Sequence, residues 1–132
     1  LKRHIEALGY PVTDFGTHST APVLYPDIAL AVATAINAGQ QRLGVLVCGT
    51  GIGMAISANK VLGIRAAQAH DTYSAERARK SNDAQILSIG ARVVGAELAK
   101  SIVTAFLASE FEAARSGAKV ERINAIERDG HQ

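Results

Sequence analysis

The sequence predicts an α/β fold: a three-layer parallel sheet with helices on both of its faces. Strand-length apolar runs alternate four times with segments of helical spacing, which is the pattern of βαβ units. In LGVLVCG the apolar residues are consecutive rather than alternating, as in a strand covered on both faces. Glycines cluster where that strand hands over to the next helix, immediately after Cys48.

Each element has its own punctuation. Leu1 to Leu8 has helical apolar spacing and stops at Gly9; YPVTDFG then reads as a short strand. YPDIALAVATAINAG carries a proline at its front, an acidic residue in its first turn and a glycine at its end, the marks of a helix. After LGVLVCG, the segment GMAISANK starts a helix and GIRAAQAHD reads as a strand. TYSAERARKSN is a polar helix, AQILSIG the next strand and GAELAKSIVTAFLASEF a long amphipathic helix. The basic segment that follows is expected to be helical from about Ala118, because Gly117 would weaken a helix running through it. The opening helix has no strand before it, so an additional first strand is expected upstream of Leu1.

Composition narrows the function. A chain of 132 residues fits one domain, residues 1–132, large enough to bury a core without disulfides or a structural metal. Fourteen Lys and Arg against twelve Asp and Glu give a net charge of +2, too even to argue for a nucleic-acid or membrane surface. Any anionic ligand is therefore expected to be small and locally held. The only cysteine has no partner for an internal disulfide, and His4, His18, His70 and His131 are scattered rather than spaced as metal ligands. No apolar run approaches the ~18 residues that cross a bilayer, and no signal-peptide pattern is present. These features predict a cytoplasmic protein without a metal.

Gly49, Gly51 and Gly53 form G-x-G-x-G, which departs from the dinucleotide fingerprint because Met54 stands in place of its last glycine. The turn also lacks the Gly-Lys-Ser/Thr ending of a P-loop, so both nucleotide readings weaken. What remains is a strand-to-helix turn whose glycines permit positive φ and aim several N–H groups at one oxyanion or phosphate. A helix N-terminus also favours a thiolate, and the Thr50 hydroxyl is placed to orient it. A lone cysteine more often packs as a small hydrophobe. Local residues leave open whether Cys48 packs, attacks as a nucleophile or abstracts a proton beside a carbonyl.

The blocks VCGTGIGMAISANKVLGIRAA and HDTYSAERARKSNDAQILSIGARVVGAELAKSIVTAFL resemble the ribose-5-phosphate isomerase B (RpiB/LacAB) family of sugar-phosphate isomerases. The similarity runs from Gly16 to Ile126, nearly the whole chain. The resemblance implies a Rossmann-like sheet and an aldose-ketose isomerase that uses no metal and no cofactor. It also implies a homodimer or dimer of dimers with active sites at the subunit interface, and a small phosphorylated sugar as the partner molecule.

Residue by residue, the resemblance gives Cys48 the role of base, carrying a proton between C1 and C2 through a cis-enediolate. Met54 stands where one branch of the family has a glutamate base. The amides of Gly49, Thr50, Gly51, Ile52 and Gly53 would stabilise the enediolate oxygen, with Thr50 orienting the thiolate. Tyr25 and Asn82 match residues beside the sugar. The family holds phosphate with an Arg-His-x-x-Arg pattern; here Arg115 is retained, Ser116 replaces the histidine and Lys119 the second arginine, a charge without the bidentate fork. Arg92 matches a further basic residue.

Ser81 departs most, standing where the family has a histidine that opens the furanose ring. A serine hydroxyl is no proton shuttle near neutral pH. His70, on the same rim, is a candidate to compensate. The substitution points to substrates that do not close, such as tetrose or tetrulose 4-phosphates. The family's opening strand ends in an Asp-His pair that would precede Leu1. A non-catalytic phosphosugar-binding member is the alternative reading, drawn from Ser81, the altered phosphate pattern and that missing pair.

Overall fold

The computed structural model describes residues 1–16 and 23–131; His18 lies outside them. In chain order the elements are α1 (Lys2–Ala7), α2 (Tyr25–Asn37), β1 (Gly44–Cys48), α3 (Ile52–Asn59), β2 (Ala66–Gln68), α4 (Thr72–Asn82), β3 (Ile86–Gly90), α5 (Ala96–Ala108) and α6 (Ala113–Asp129). The three strands are parallel in the order β1-β3-β2, with Cys48 opposite Gly90 and Gln68 opposite Ser88. The α/β prediction is met.

The central strand β3 is buried at all five positions, and successive side chains enter opposite layers. Leu87 and Ile89 join Ala75, Ala78, Ile102, Val103 and Phe106 beneath α4 and α5. Ile86 joins Leu46, Val32, Met54 and Ala58 beneath α2 and α3. The small alanines let the helices approach the sheet closely, and the long branched residues fill the space between them.

Three expectations need correction. The segment Tyr10–Gly16 is not a strand. Pro11 has no N–H to give a ladder, and the segment is tied down by side chains instead: the Tyr10 hydroxyl donates to the Leu107 carbonyl at 3.2 Å and Asp14 caps Gly16 N–H at 2.8 Å. The run in β1 is not covered throughout, since Val47 is 42% exposed. Helix α6 starts at Ala113, five residues earlier than expected, and passes through Gly117. A glycine there costs roughly 1 kcal/mol of helix propensity. Burial of Ser116 and Val120 against the rest of the chain, together with ties from Glu112 to α4, outweighs it.

Among the described residues no helix is long and apolar enough to cross a membrane, and no group of three or more His, Cys, Asp or Glu is placed to hold a metal ion.

Candidate active site

β1 delivers Cys48 to the carboxyl end of the sheet, and residues 49–51 turn the chain into α3. Gly51 is the pivot of that turn. Its φ of +78° lies in the left-handed region, and a Cβ would stand 2.9 Å from the carbonyl carbon of Ile89, so only glycine fits. The Gly51 N–H donates to Cys48 Sγ at 3.1 Å, and the Gly51 carbonyl accepts from the buried Ser88 hydroxyl at 2.7 Å. The sulfur and the central strand are thus tied to the same residue.

Gly90 closes the turn from the other side, where a Cβ would stand 2.6 Å from the Thr50 carbonyl carbon. Its N–H donates to His70 Nε2 at 2.8 Å, which requires an unprotonated Nε2. His70 in turn precedes Asp71, the N-cap of α4, which accepts from Ser74 N–H at 2.6 Å. That backbone bond holds the Asp71 carboxyl below its ordinary range.

Other predicted residues gather at the same mouth. Tyr25, first residue of α2, lies against Gly53, where a Cβ would come within 2.6 Å of the phenol Cζ. Arg92 follows β3, donates its N–H to the Gly49 carbonyl at 3.0 Å and runs its side chain beside Gly49. Ile52 opens α3 and is half exposed. The Thr50 hydroxyl accepts from Ile52 N–H at 3.3 Å, and the Thr50 carbonyl from Gln68 Nε2 at 2.8 Å. Met54 is buried in the core below.

The remaining predicted residues are at the opposite, amino end of the sheet. Ser81 and Asn82 close α4, just before Asp83 turns into the left-handed region with φ of +47°. Arg65, immediately before β2, fixes this corner by donating to the carbonyls of Asn82 and Asp83, at 3.0 Å from Nε and 3.0 Å from Nη2 respectively. Helix α6 begins beside it, with Glu112 N–H donating to the Lys80 carbonyl at 3.0 Å and the Glu112 carboxylate 3.3 Å from Arg77. Arg115 and Lys119 are exposed on α6, while Ser116 is buried. β3 runs between the two ends, four steps of roughly 3.3 Å, or about 13 Å. Within one chain the fold does not bring Ser81, Asn82, Arg115 and Lys119 to Cys48.

Sequence reasoning assigns no role to Ser88, Gly90, Gln68 or Arg77. A hydroxyl in the otherwise apolar ILSIG and a glycine at the end of that strand were the available signals for the first two. Only the spacing of Arg77 four residues before Ser81 pointed to the last.

Fold and site together define a class: an α/β protein with a glycine turn beside Cys48 at the carboxyl end of a parallel sheet, where such folds carry their chemistry. A profile of the Ribose/Galactose Isomerase family matches residues 1–123. The chain is 53% identical over 131 residues to the D-erythrulose-4-phosphate isomerase of Pectobacterium atrosepticum, covering 98% of this chain and 86% of that one. It is 55% identical over 115 residues to the ribose-5-P isomerase B of Listeria innocua, covering 87% and 78%. The solved structure of ribose-5-phosphate isomerase B from Clostridium thermocellum superimposes with a TM-score of 0.92 at 46% identity, covering 96% and 86%. The chain belongs to the ribose/galactose isomerase family and is a sugar-phosphate isomerase.

Proposed function

We propose that the protein interconverts erythrose 4-phosphate and erythrulose 4-phosphate in open-chain form, with Cys48 as the base and without metal or cofactor, in the cytoplasm. The observation that carries this reading is the half-buried Cys48 sulfur at the carboxyl end of β1, held by Gly51 N–H at 3.1 Å within a glycine turn. Starting from the aldose, the Cys48 thiolate removes the C2 proton, and the electron pair forms a C1–C2 double bond as O1 gains charge. Amides of the turn between Gly49 and Gly53 receive that charge, apart from those of Gly51 and Ile52, which are bonded to Cys48 Sγ and the Thr50 hydroxyl. Cys48 then returns the proton to C1 while the O2 proton passes to O1, leaving the ketone at C2. Thr50 shapes the turn through Ile52 N–H, and Tyr25 and Arg92 border the sugar.

The amino-end residues complete the site when two copies associate as a homodimer or dimer of dimers. Asn82 then lies beside the substrate of the partner, and Arg115 and Lys119 hold its phosphate. Supporting this reading is the placement of the two groups at opposite ends of one sheet. The tetrose assignment draws on Ser81, whose hydroxyl cannot relay the protons of ring opening, and on the 53% identity to a D-erythrulose-4-phosphate isomerase. A tetrose phosphorylated on O4 has no hydroxyl left with which to close a furanose.

A panel of tetrose, pentose and hexose phosphates tests the assignment. The expected result is the highest kcat/KM on erythrose 4-phosphate; a clear preference for ribose 5-phosphate would contradict it. Replacing Cys48 with alanine is expected to abolish deuterium exchange at substrate C2 in a folded protein, and retained exchange removes Cys48 as the base.

A further inference from the structure

The Ser81 hydroxyl is bonded differently from other hydroxyls near helix ends and interiors. Ser57, Ser101, Thr104 and Ser109 each donate to the backbone carbonyl four residues earlier, at 2.7, 3.3, 2.9 and 2.7 Å. In those residues the hydroxyl proton is used within the chain. Ser81 Oγ instead accepts, from Arg77 Nε at 2.9 Å and Arg77 Nη2 at 2.6 Å. Both donors sit on one edge of a guanidinium, whose third nitrogen, Nη1, is 3.3 Å from the Glu112 carboxylate. The side chain is thereby fixed from two sides, by α4 itself and by the start of α6.

The chemistry of the pair follows from donor and acceptor counts. A hydroxyl offers one donor and two acceptor positions, and an arginine only donates and stays charged. With its lone pairs turned to a cation, Ser81 Oγ has no acceptor capacity to spare, and its proton points away from the guanidinium. Such a hydroxyl gives a hydrogen bond but takes no proton. Ring opening of a furanose needs a group that takes the anomeric hydroxyl proton; recognition of a carbonyl or hydroxyl oxygen needs only a donor.

We propose that Arg77 is a positioning residue that holds Ser81 as a fixed hydrogen-bond donor to an oxygen of an open-chain sugar phosphate, and so sets the preference for substrates that do not close. This rests on the placement of Ser81 in the site under the proposed function. Arg77 does not touch the substrate; it acts through Ser81. It also predicts that an imidazole introduced at position 81 is ineffective while the guanidinium faces it, because the cation opposes protonation of the ring and occupies its acceptor nitrogen.

The test uses the full chain and steady-state kinetics on erythrose 4-phosphate and ribose 5-phosphate, with melting temperatures for every variant. Arg77→Met and Ser81→Ala are each expected to lower kcat/KM on erythrose 4-phosphate by about tenfold, the size of one lost hydrogen bond. The double variant should be no worse than either single one, since both remove the same interaction. Glu112→Gln, which weakens the bridge but leaves Arg77 on Ser81, should stay within about twofold of wild type; this separates positioning from a purely structural role. Ser81→His alone should gain little on ribose 5-phosphate, whereas Ser81→His with Arg77→Met should exceed it by tenfold or more.

Additive losses, an Arg77→Met variant as active as wild type, or an equal gain from Ser81→His with and without Arg77 would each overturn the proposal. If wild type turns over no sugar phosphate, the proposed function fails, and calorimetric titration with erythrose 4-phosphate decides the role of Arg77. Weaker binding by both Arg77→Met and Ser81→Ala supports it, and unchanged binding contradicts it.

Discussion

The two ends of the sheet are built by different means. At the carboxyl end the main chain does the positioning: Gly51 and Gly90 lie against the backbone of Ile89 and Thr50, and the Cys48 sulfur is held by a backbone N–H. At the amino end side chains do it: Arg65 clasps the end of α4, and Arg77 joins Ser81 to Glu112. A backbone-built turn tolerates little change of side chain but is the same for any substrate of the class. A side-chain network is adjustable one residue at a time. Under the proposed function the chemistry belongs to the first end and the choice of sugar to the second.

Substituting glycines at the two ends separates them by the largest expected effect. Gly90→Ala places a methyl group against the Thr50 backbone and is expected to remove most activity and cost about 1–3 kcal/mol of stability, measured by urea unfolding and turnover. Gly117→Ala, on α6, meets no atom within 4 Å and should stabilise the fold by about 0.5–1 kcal/mol with activity retained. Equal effects at both positions would mean that the carboxyl end is no tighter than the amino end.

The smallest expected effect is acid loosening at the start of α4. The Asp71 carboxyl is held below its ordinary value of 3.8, first by Ser74 N–H. A depressed carboxyl contributes stability above its unfolded-state pKa and loses it as the pH falls through the folded-state value. Protection of the Ser74 amide against hydrogen exchange, relative to its intrinsic rate, should fall below about pH 4 in wild type. Asp71→Asn, which keeps a capping oxygen without a titrating group, should flatten that response.

The carboxyl end was the legible one. Glycine spacing, a lone cysteine at a strand end and the punctuation of α2, α3 and α5 are local signals, and the sequence places all of these elements close to where they lie. The expected strand over YPVTDFG failed because Pro11 removes a ladder donor and side chains from Tyr10 and Asp14 hold the segment instead. The early start of α6 was hidden because Gly117 argues locally against it, while the ties of Glu112 to Lys80 and Arg77 are tertiary. The role of Arg77 was hidden for the same reason: a polar helix with many charges reads as a solvated face until packing shows which charge pairs with the start of α6.

In the proposed dimer a working site joins the carboxyl end of one chain to the amino end of its partner. Mixing two inactive proteins tests it directly: Cys48→Ala, lacking the base, and Arg115→Ala with Lys119→Ala, lacking the phosphate cations. After co-refolding in equal amounts, half of the dimers are mixed and each carries one intact site, so activity should recover to about a quarter of wild type. Activity that stays at the sum of the two inactive proteins would contradict a shared site.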